Sequence, residues 1–403
     1  MTVDLATIRA AAARLHGHLR PSPCLASPGL SRLCGGQVYL KQDQLQLTGS
    51  FKERGARNKL SQLDLAQRAR GVITASAGNH ALGLAWHGQQ LGIPVTVVMP
   101  LQAPLVKSAR CRAFGAEVLH RGEHYEDART AALALSAESG KLFIHGFEDD
   151  DIISGQGTIG LEIIAEVPAV EVVVVPVGGG GLIAGIGTAL KALKPAVRLV
   201  AVEARNAPTI GAALAHGAPC RTLPRPTLAD GLAVGAMGER CFAIARALVD
   251  QVVTVDEARI ASAILTLMEI ERTVVEGAGA VALAAAMGGG LELKGATAVL
   301  VLGGGNIDVS VMAHIIERGL VHDGRLCRIA VQLDDRPGAL ARLLALVAAT
   351  GASVQEVTHD RLFGAENLAR VRVAVIAETR DHAHVRALIA ALGEGGFAVE
   401  QRA

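Results

Sequence analysis

Short runs of apolar, largely β-branched residues recur along the first 320 positions: Val38 to Leu40, Val72 to Thr74, Val95 to Met99, Val172 to Val175, Leu199 to Val202 and Ala298 to Leu302. Each is short and apolar or β-branched and reads as a strand, of the kind that suits a buried parallel sheet. Between most of them lie stretches of helical length and composition, at Asn79 to Gln90, Pro104 to Phe114, Ser154 to Ala165 and Leu182 to Leu193. Alternating strand and helix predict an open parallel α/β architecture. Past Asp323 and Gly324 the pattern restarts with strand Cys327 to Leu333, turn Asp335 to Pro337 and helix Ala339 to Ala349. Strands at Val354 to Thr358 and Leu368 to Ile376, a helix from Asp381 to Leu392 and a strand at Phe397 to Gln401 complete it. That order, βαββαβ, predicts a ferredoxin-like module. The expected division is therefore 1–322 and 325–403.

Composition narrows the picture. The chain has 403 residues, half of them hydrophobic and only 2% aromatic, so its cores are aliphatic. A formal net charge of +1 gives no global reason to bind nucleic acid or an anionic membrane. Mean hydropathy is +0.36, and Val172 to Leu190 carries no charge and is long enough to cross a bilayer. Pro176 and Gly178 to Gly181 interrupt it, so it reads as strand, glycine turn and helix instead. The N-terminal stretch, with Asp4, Arg9 and Arg14, lacks the apolar core of a secretory signal, which makes the cytoplasm the expected location. Six cysteines without CxxC spacing encode neither a zinc ribbon nor a redox pair, and no metal site is expected.

Candidate chemistry gathers at four places. Lys52 is one of only eight lysines and sits where the turn Thr48-Gly49-Ser50-Phe51 enters a helix. It reads either as an amine for an aldehyde cofactor or as a solvated helix lysine paired with an acid. Ser76-Ala77-Gly78-Asn79-His80 follows a strand and opens a helix whose first amides can grip a carboxylate. Asn79 there either caps the helix, the commoner role, or offers its amide to a phenolic oxygen; His80 is a general base or a structural histidine. The loop Gly178-Gly179-Gly180-Gly181-Leu182 can surround a phosphate. It also satisfies GxGxxA through Gly179, Gly181 and Ala184, with Glu203 placed for a ribose, so a nicotinamide-dinucleotide dehydrogenase is a competing reading. Gly303-Gly304-Gly305-Asn306 ends an apolar strand and either brings backbone close to a flat ring or is simply a turn.

Taken together, Ser50-Phe51-Lys52-Glu53-Arg54-Gly55, the Ser76 to His80 run, the four-glycine loop and Gly303 to Asn306 resemble the threonine dehydratase (threonine ammonia-lyase) family. Ser154-Gly155-Gln156-Gly157-Thr158 and Val275-Glu276-Gly277-Ala278-Gly279-Ala280 extend the likeness over about 15–320. These are pyridoxal 5'-phosphate enzymes of the tryptophan-synthase-β-like fold, fold type II, which implies that 1–322 is two-lobed with a smaller lobe at about 45–148. Asp334-Asp335-Arg336-Pro337-Gly338-Ala339-Leu340 is similar to the opening of an ACT module, as in medium-length members. The resemblance implies Lys52 as the Schiff-base lysine, Phe51 packed beside the cofactor, Asn79 on its phenolic oxygen, Gly178 to Leu182 on its phosphate and Gly303 near its ring nitrogen. It implies Ser76, Ala77, Gly78, Asn79 and His80 as the substrate-carboxylate site, and β-elimination of L-threonine, and of L-serine, to 2-oxobutanoate or pyruvate and ammonia.

An amino-acid effector would touch Gly338, Leu340 and Ser353, which stands where ACT modules commonly have Asn. A homodimer or homotetramer is implied as well. Where serine racemases of this fold have a serine, this chain has Ala77, which argues against racemisation. Where they place a divalent cation with a glutamate and an aspartate, Glu203 is followed by Thr209, so no magnesium is expected. Gly303 replaces the Ser or Cys that many members present to the ring nitrogen. His382 and His384 read as exposed helix residues rather than a metal pair. An inactive amino-acid-responsive regulator is a third reading, weakened by the presence of Lys52 and Asn79.

Overall fold

The computed structural model describes residues 3–103, 105–288, 290–360 and 370–402, and the chain forms two compact units, 1–307 and 308–403. The first unit carries ten strands in two sheets: β1 (Cys24–Ala26), β2 (Gln37–Gln42), β3 (Val72–Ala75), β4 (Val95–Met99), β5 (Glu117–His120), β6 (Leu142–Phe143), β7 (Val172–Pro176), β8 (Arg198–Ala204), β9 (Gln251–Val255) and β10 (Thr297–Leu302). One sheet has the order β1-β2-β10-β7-β8-β9 and is parallel except at β1; the other, β5-β4-β3-β6, is wholly parallel. Every residue of β3, β4, β7 and β10 is buried. That is why their unbroken apolar runs are visible in the sequence.

All six predicted strands of this unit are present. The four that the pattern missed lie at or beside sheet edges, or are too short to show a period. β5 begins with an exposed glutamate and ends on a half-buried histidine, and β6 has two residues. Edge strands keep polar groups as a guard against mispairing, which erases the apolar signal. The helix expected from Ser154 starts earlier, at Asp150, because the Asp149 carboxylate accepts from the Asp151 and Ile152 amides and caps it.

Three helices, Lys52–Ser61, Asp150–Glu166 and Gly181–Leu193, approach one another through glycines. A Cβ at Gly155 would stand 2.6 Å from the Gly55 Cα, and one at Gly185 would stand 2.6 Å from the Gly157 nitrogen and meet the Ile153 carbonyl. A buried ion network holds the first of these helices: Arg54 donates to Asp43 at 2.7 and 3.0 Å and to Glu162 at 2.5 and 2.8 Å. The helix carrying Lys52 is thus fixed two residues downstream of that lysine.

The second unit holds β11 (Leu326–Asp334), β12 (Ser353–Asp360), β13 (Arg370–Glu378) and β14 (Val399–Arg402) in an antiparallel sheet ordered β12-β13-β11-β14. Helices Ala339–Ala349 and His382–Glu394 bury Leu343, Val347, Leu388 and Leu392 with Ile329, Val373 and Val375. This is the ferredoxin-like order expected. Leu368 and Ala369 of the expected third strand lie outside the described residues. The helix Val309–His322 falls within 308–403, so the compact division lies ahead of the boundary expected at 322–325. The histidine reading needs correction. His384 is 4% exposed, its Nε2 bonded to the Thr350 carbonyl at 2.9 Å and its Nδ1 accepting from the Arg380 amide, so it is a core residue. Among the described residues no helix is long and apolar enough to cross a membrane, and no cluster of His, Cys, Asp and Glu is placed to hold a metal ion.

Candidate active site

The C-terminal ends of β3, β7 and β10 open onto one cavity of about 280 Å³, where parallel sheets present their loops. Phe51, Lys52, the whole Ser76 to His80 run, Gly178 to Leu182 and Gly303 line it. Thus the predicted residues of the first unit, from Phe51 to Gly303, meet in one place. Gly338, Leu340 and Ser353 lie in the second unit. There Gly338 precedes the helix Ala339–Ala349 and Ser353 follows it, so about 16 Å of helix at 1.5 Å per residue separates them, and one unit does not bring them together.

Lys52 is held by its preceding turn. The Phe51 amide donates to the Gly303 carbonyl at 2.9 Å, the Gly305 amide donates to Gly49 at 2.9 Å, and Ser50 bridges Gly304. Gly49 takes φ +81°, which favours glycine. The Lys52 ammonium donates to the Gly146 carbonyl at 2.8 Å and stands 5.0 Å from the Phe51 ring centre. Burial pushes its pKa down to about 8, only partly offset by the nearby Cys241 and Glu276, and among the described residues no carboxylate is bonded to it. The solvated, acid-paired alternative is thereby removed. Glu53 turns away and accepts from the Thr48 amide.

Asn79 does not cap its helix. Gly78 occupies the N-cap, and the Asn79 nitrogen donates to Glu276 Oε1 at 2.7 Å while its oxygen accepts from Asn306 at 2.8 Å. His80 is buried and bonded to the Ile144 carbonyl at 3.3 Å, and burial pushes its pKa down to about 3. It is a neutral structural residue rather than a general base.

The glycine loop forms a cradle that side chains would fill. A Cβ at Gly178 would lie 2.8 Å from the Leu232 Cα, one at Gly179 would enter the Phe147 ring, and Gly180 has φ +93°. The helix Gly181–Leu193 begins at this loop without a side-chain cap, so its first amides remain available to an anion. Gly303 faces Phe51: a Cβ there would be 3.1 Å from the ring, so a serine or cysteine would press on it.

Sequence reasoning passed over Lys107, Tyr125, Phe147, Asp230, Leu232 and Glu276, which complete the wall. Lys107 pairs with Asp230 at 3.0 Å. Burial, with the charge of Asp230 adding to it, pushes the Glu276 carboxyl up to about 7. Only Glu276 lay inside a quoted motif; Lys107 stands on the helix Leu105–Ala113 and Tyr125 opens the helix Tyr125–Ser139, while Phe147, Asp230 and Leu232 lie in connecting segments without a pattern. Glu203 is not at the cavity. It is 2% exposed, its Oε2 accepting from the Thr209 and Gly211 amides at 2.8 and 3.2 Å and its Oε1 from the Thr254 hydroxyl at 3.4 Å, so it is spent on its own loop and the dinucleotide reading loses its ribose acid.

A family model described as "Pyridoxal-phosphate dependent enzyme" matches residues 15–304. The chain belongs to this family. It is 44% identical to the L-threonine ammonia-lyase of Thermotoga maritima over 397 residues, covering 98% of this chain and 99% of that one. Among solved structures it is similar to the processed form of threonine deaminase isoform 2 from Solanum lycopersicum (37% identity, TM-score 0.73, 78% of this chain and 86% of that chain). It is similar also to maize serine racemase (31% identity, TM-score 0.73, 80% and 99%). As a pyridoxal-phosphate dependent enzyme the chain needs an amine for an aldehyde and a cradle for a phosphate. Lys52 and the loop from Gly178 to Leu182 fit those two demands in one cavity.

Proposed function

We propose that the chain is a threonine ammonia-lyase, converting L-threonine to 2-oxobutanoate and ammonia and, more slowly, L-serine to pyruvate and ammonia. The carrying observation is that the lysine amine, its pKa brought to about 8, shares one cavity with the amides of Ser76 to His80 and the glycine cradle. Pyridoxal phosphate, when bound, supplies an aldehyde for amines and a ring that withdraws electrons from Cα. Lys52 Nζ, once uncharged, takes the Cα proton. The backbone amides of the turn from Ala77 to His80 and the Ser76 hydroxyl orient the substrate carboxylate, while the Asn79 side chain donates toward the phenolic oxygen. The amides from Gly178 to Leu182 hold the phosphate, with Phe51 beside the ring. Ala77 carries no proton-bearing group, so nothing there returns a proton from a second face, and elimination prevails over racemisation.

Residues 308–403 are read as the regulatory part, taking an amino-acid effector and assembling the chain as a homodimer or homotetramer. Their ferredoxin-like sheet, with the exposed edge strand β12, supports this. Gly338 and Leu340 of one copy and Ser353 of another would then share a site.

Borohydride treatment of the purified protein should attach the cofactor to the peptide carrying Lys52, and threonine should yield 2-oxobutanoate. Lys52→Ala should abolish both. Absence of the adduct and of oxo acid in the unaltered protein would reject the reading.

A further inference from the structure

The Asn79 amide is set by a chain of hydrogen bonds whose direction is fixed at its far end. Arg110 Nη1 donates to Asn306 Oδ1 at 2.7 Å, and Asn306 Nδ2 donates both to the Thr48 carbonyl at 2.7 Å and to Asn79 Oδ1 at 2.8 Å. A guanidinium can only donate and a carbonyl can only accept, so the Asn306 amide has one permitted orientation. That orientation leaves Asn79 one permitted orientation too: its oxygen meets Asn306, and its nitrogen gives one hydrogen to Glu276 at 2.7 Å and keeps the other for a ligand. The slot for Asn306 is built. Gly49 closes over it, and a Cβ at Gly49 would stand 2.6 Å from Asn306 Oδ1 and 2.9 Å from its Nδ2. Asn306 and Arg110 are both absent from the cavity wall, so neither touches what the cavity holds.

We propose that Arg110 and Asn306 are positioning residues that lock the Asn79 amide with its nitrogen toward the cofactor's phenolic oxygen. This rests on the reading of the cavity as the pyridoxal-phosphate site. Without the lock only the Glu276 contact holds the amide, and a carboxyl with its pKa pushed up to about 7 accepts from the nitrogen when ionised or donates to the oxygen when protonated. The amide can then turn and present its carbonyl oxygen, which repels an anionic oxygen instead of binding it. Arg110 stands on the helix Leu105–Ala113, between β4 and β5, whereas Asn306 follows β10 of the other sheet. The relay therefore makes the cofactor's hydrogen bond depend on how the two sheet layers meet.

The full-length protein is tested as Asn306→Ala, Arg110→Met, Asn79→Ala and the Asn79→Ala/Asn306→Ala double variant. The apoprotein is titrated with pyridoxal phosphate, and the visible absorbance of the bound cofactor is followed against pH. Loss of one hydrogen bond to a charged group predicts about tenfold weaker binding in Asn306→Ala, a displaced absorbance–pH midpoint, and a smaller change of the same sign in Arg110→Met. In the Asn79→Ala background the Asn306 change should add less than about twofold, because the relay then has nothing to orient.

An Asn306 effect of undiminished size in that background overturns the proposal, as do unchanged affinity and midpoint in both single variants. Should Asn306→Ala not fold, Arg110→Met decides by the same midpoint. If the unaltered protein forms no borohydride adduct at Lys52, the underlying cofactor reading has failed, and the relay with it.

Discussion

A lysine is a base only after it has lost its charge, and the wall around Lys52 favours that by partly burying the amine and offering it a carbonyl rather than a carboxylate. The sign of the shift makes a prediction. With a pKa brought down to about 8, the uncharged fraction grows about tenfold per pH unit below 8 and saturates above it. The rate at which apoprotein takes up pyridoxal phosphate should follow that curve between pH 6 and 9. A flat profile, or one still climbing at pH 10, would show that the amine keeps its ordinary pKa. Lys52 was legible because lysine is scarce in this chain and the local run around it is distinctive. The partners of Asn79 were not. Glu276 and Asn306 are 197 and 227 positions away, and at its own position asparagine is an ordinary helix-capping residue.

Among the elements, the glycines of Lys52–Ser61, Asp150–Glu166 and Gly181–Leu193 invert the usual expectation for a helix. Alanine in place of glycine in an open helix gains about 1 kcal/mol. At Gly185 the added methyl meets the Ile153 carbonyl and the Gly157 nitrogen, backbone atoms that cannot swing aside. Gly185→Ala should cost about 2–3 kcal/mol by overpacking, read from the shift in denaturant midpoint at unchanged slope. An unchanged or raised midpoint would mean that the helices are free to part. The same three helices were partly readable as elements but not as neighbours, since glycine in a sequence announces flexibility before it announces contact. Likewise the buried strands could be read while β1, β5, β6 and β9 could not, because a strand at an edge has no reason to be apolar on both faces.

For the molecule as a whole, the regulatory role proposed for the second unit requires that an effector bound there change turnover in the first. Oxo-acid production from threonine, measured across isoleucine and valine concentrations, should shift with at least one of them. A flat response to both, with catalysis intact, would remove the regulatory role proposed for 308–403. The ferredoxin-like order of that unit was legible because its alternating strands and short helices each carry their own period. Its Gly338 and Ser353 could not be joined from sequence, since the intervening helix fixes their separation.

The order β1-β2-β10-β7-β8-β9 has one more outcome, which concerns synthesis. β10 is the last strand of its sheet to be made, yet it lies inside the sheet, between β2 and β7. Until it emerges, the growing chain holds two separate half-sheets with an open seam, and Lys52 has left the ribosome without the Gly303 carbonyl that anchors its turn. A chain truncated before β10 would therefore carry the lysine but not the strand and the Gly303 carbonyl that complete its site, and it should take up no pyridoxal phosphate.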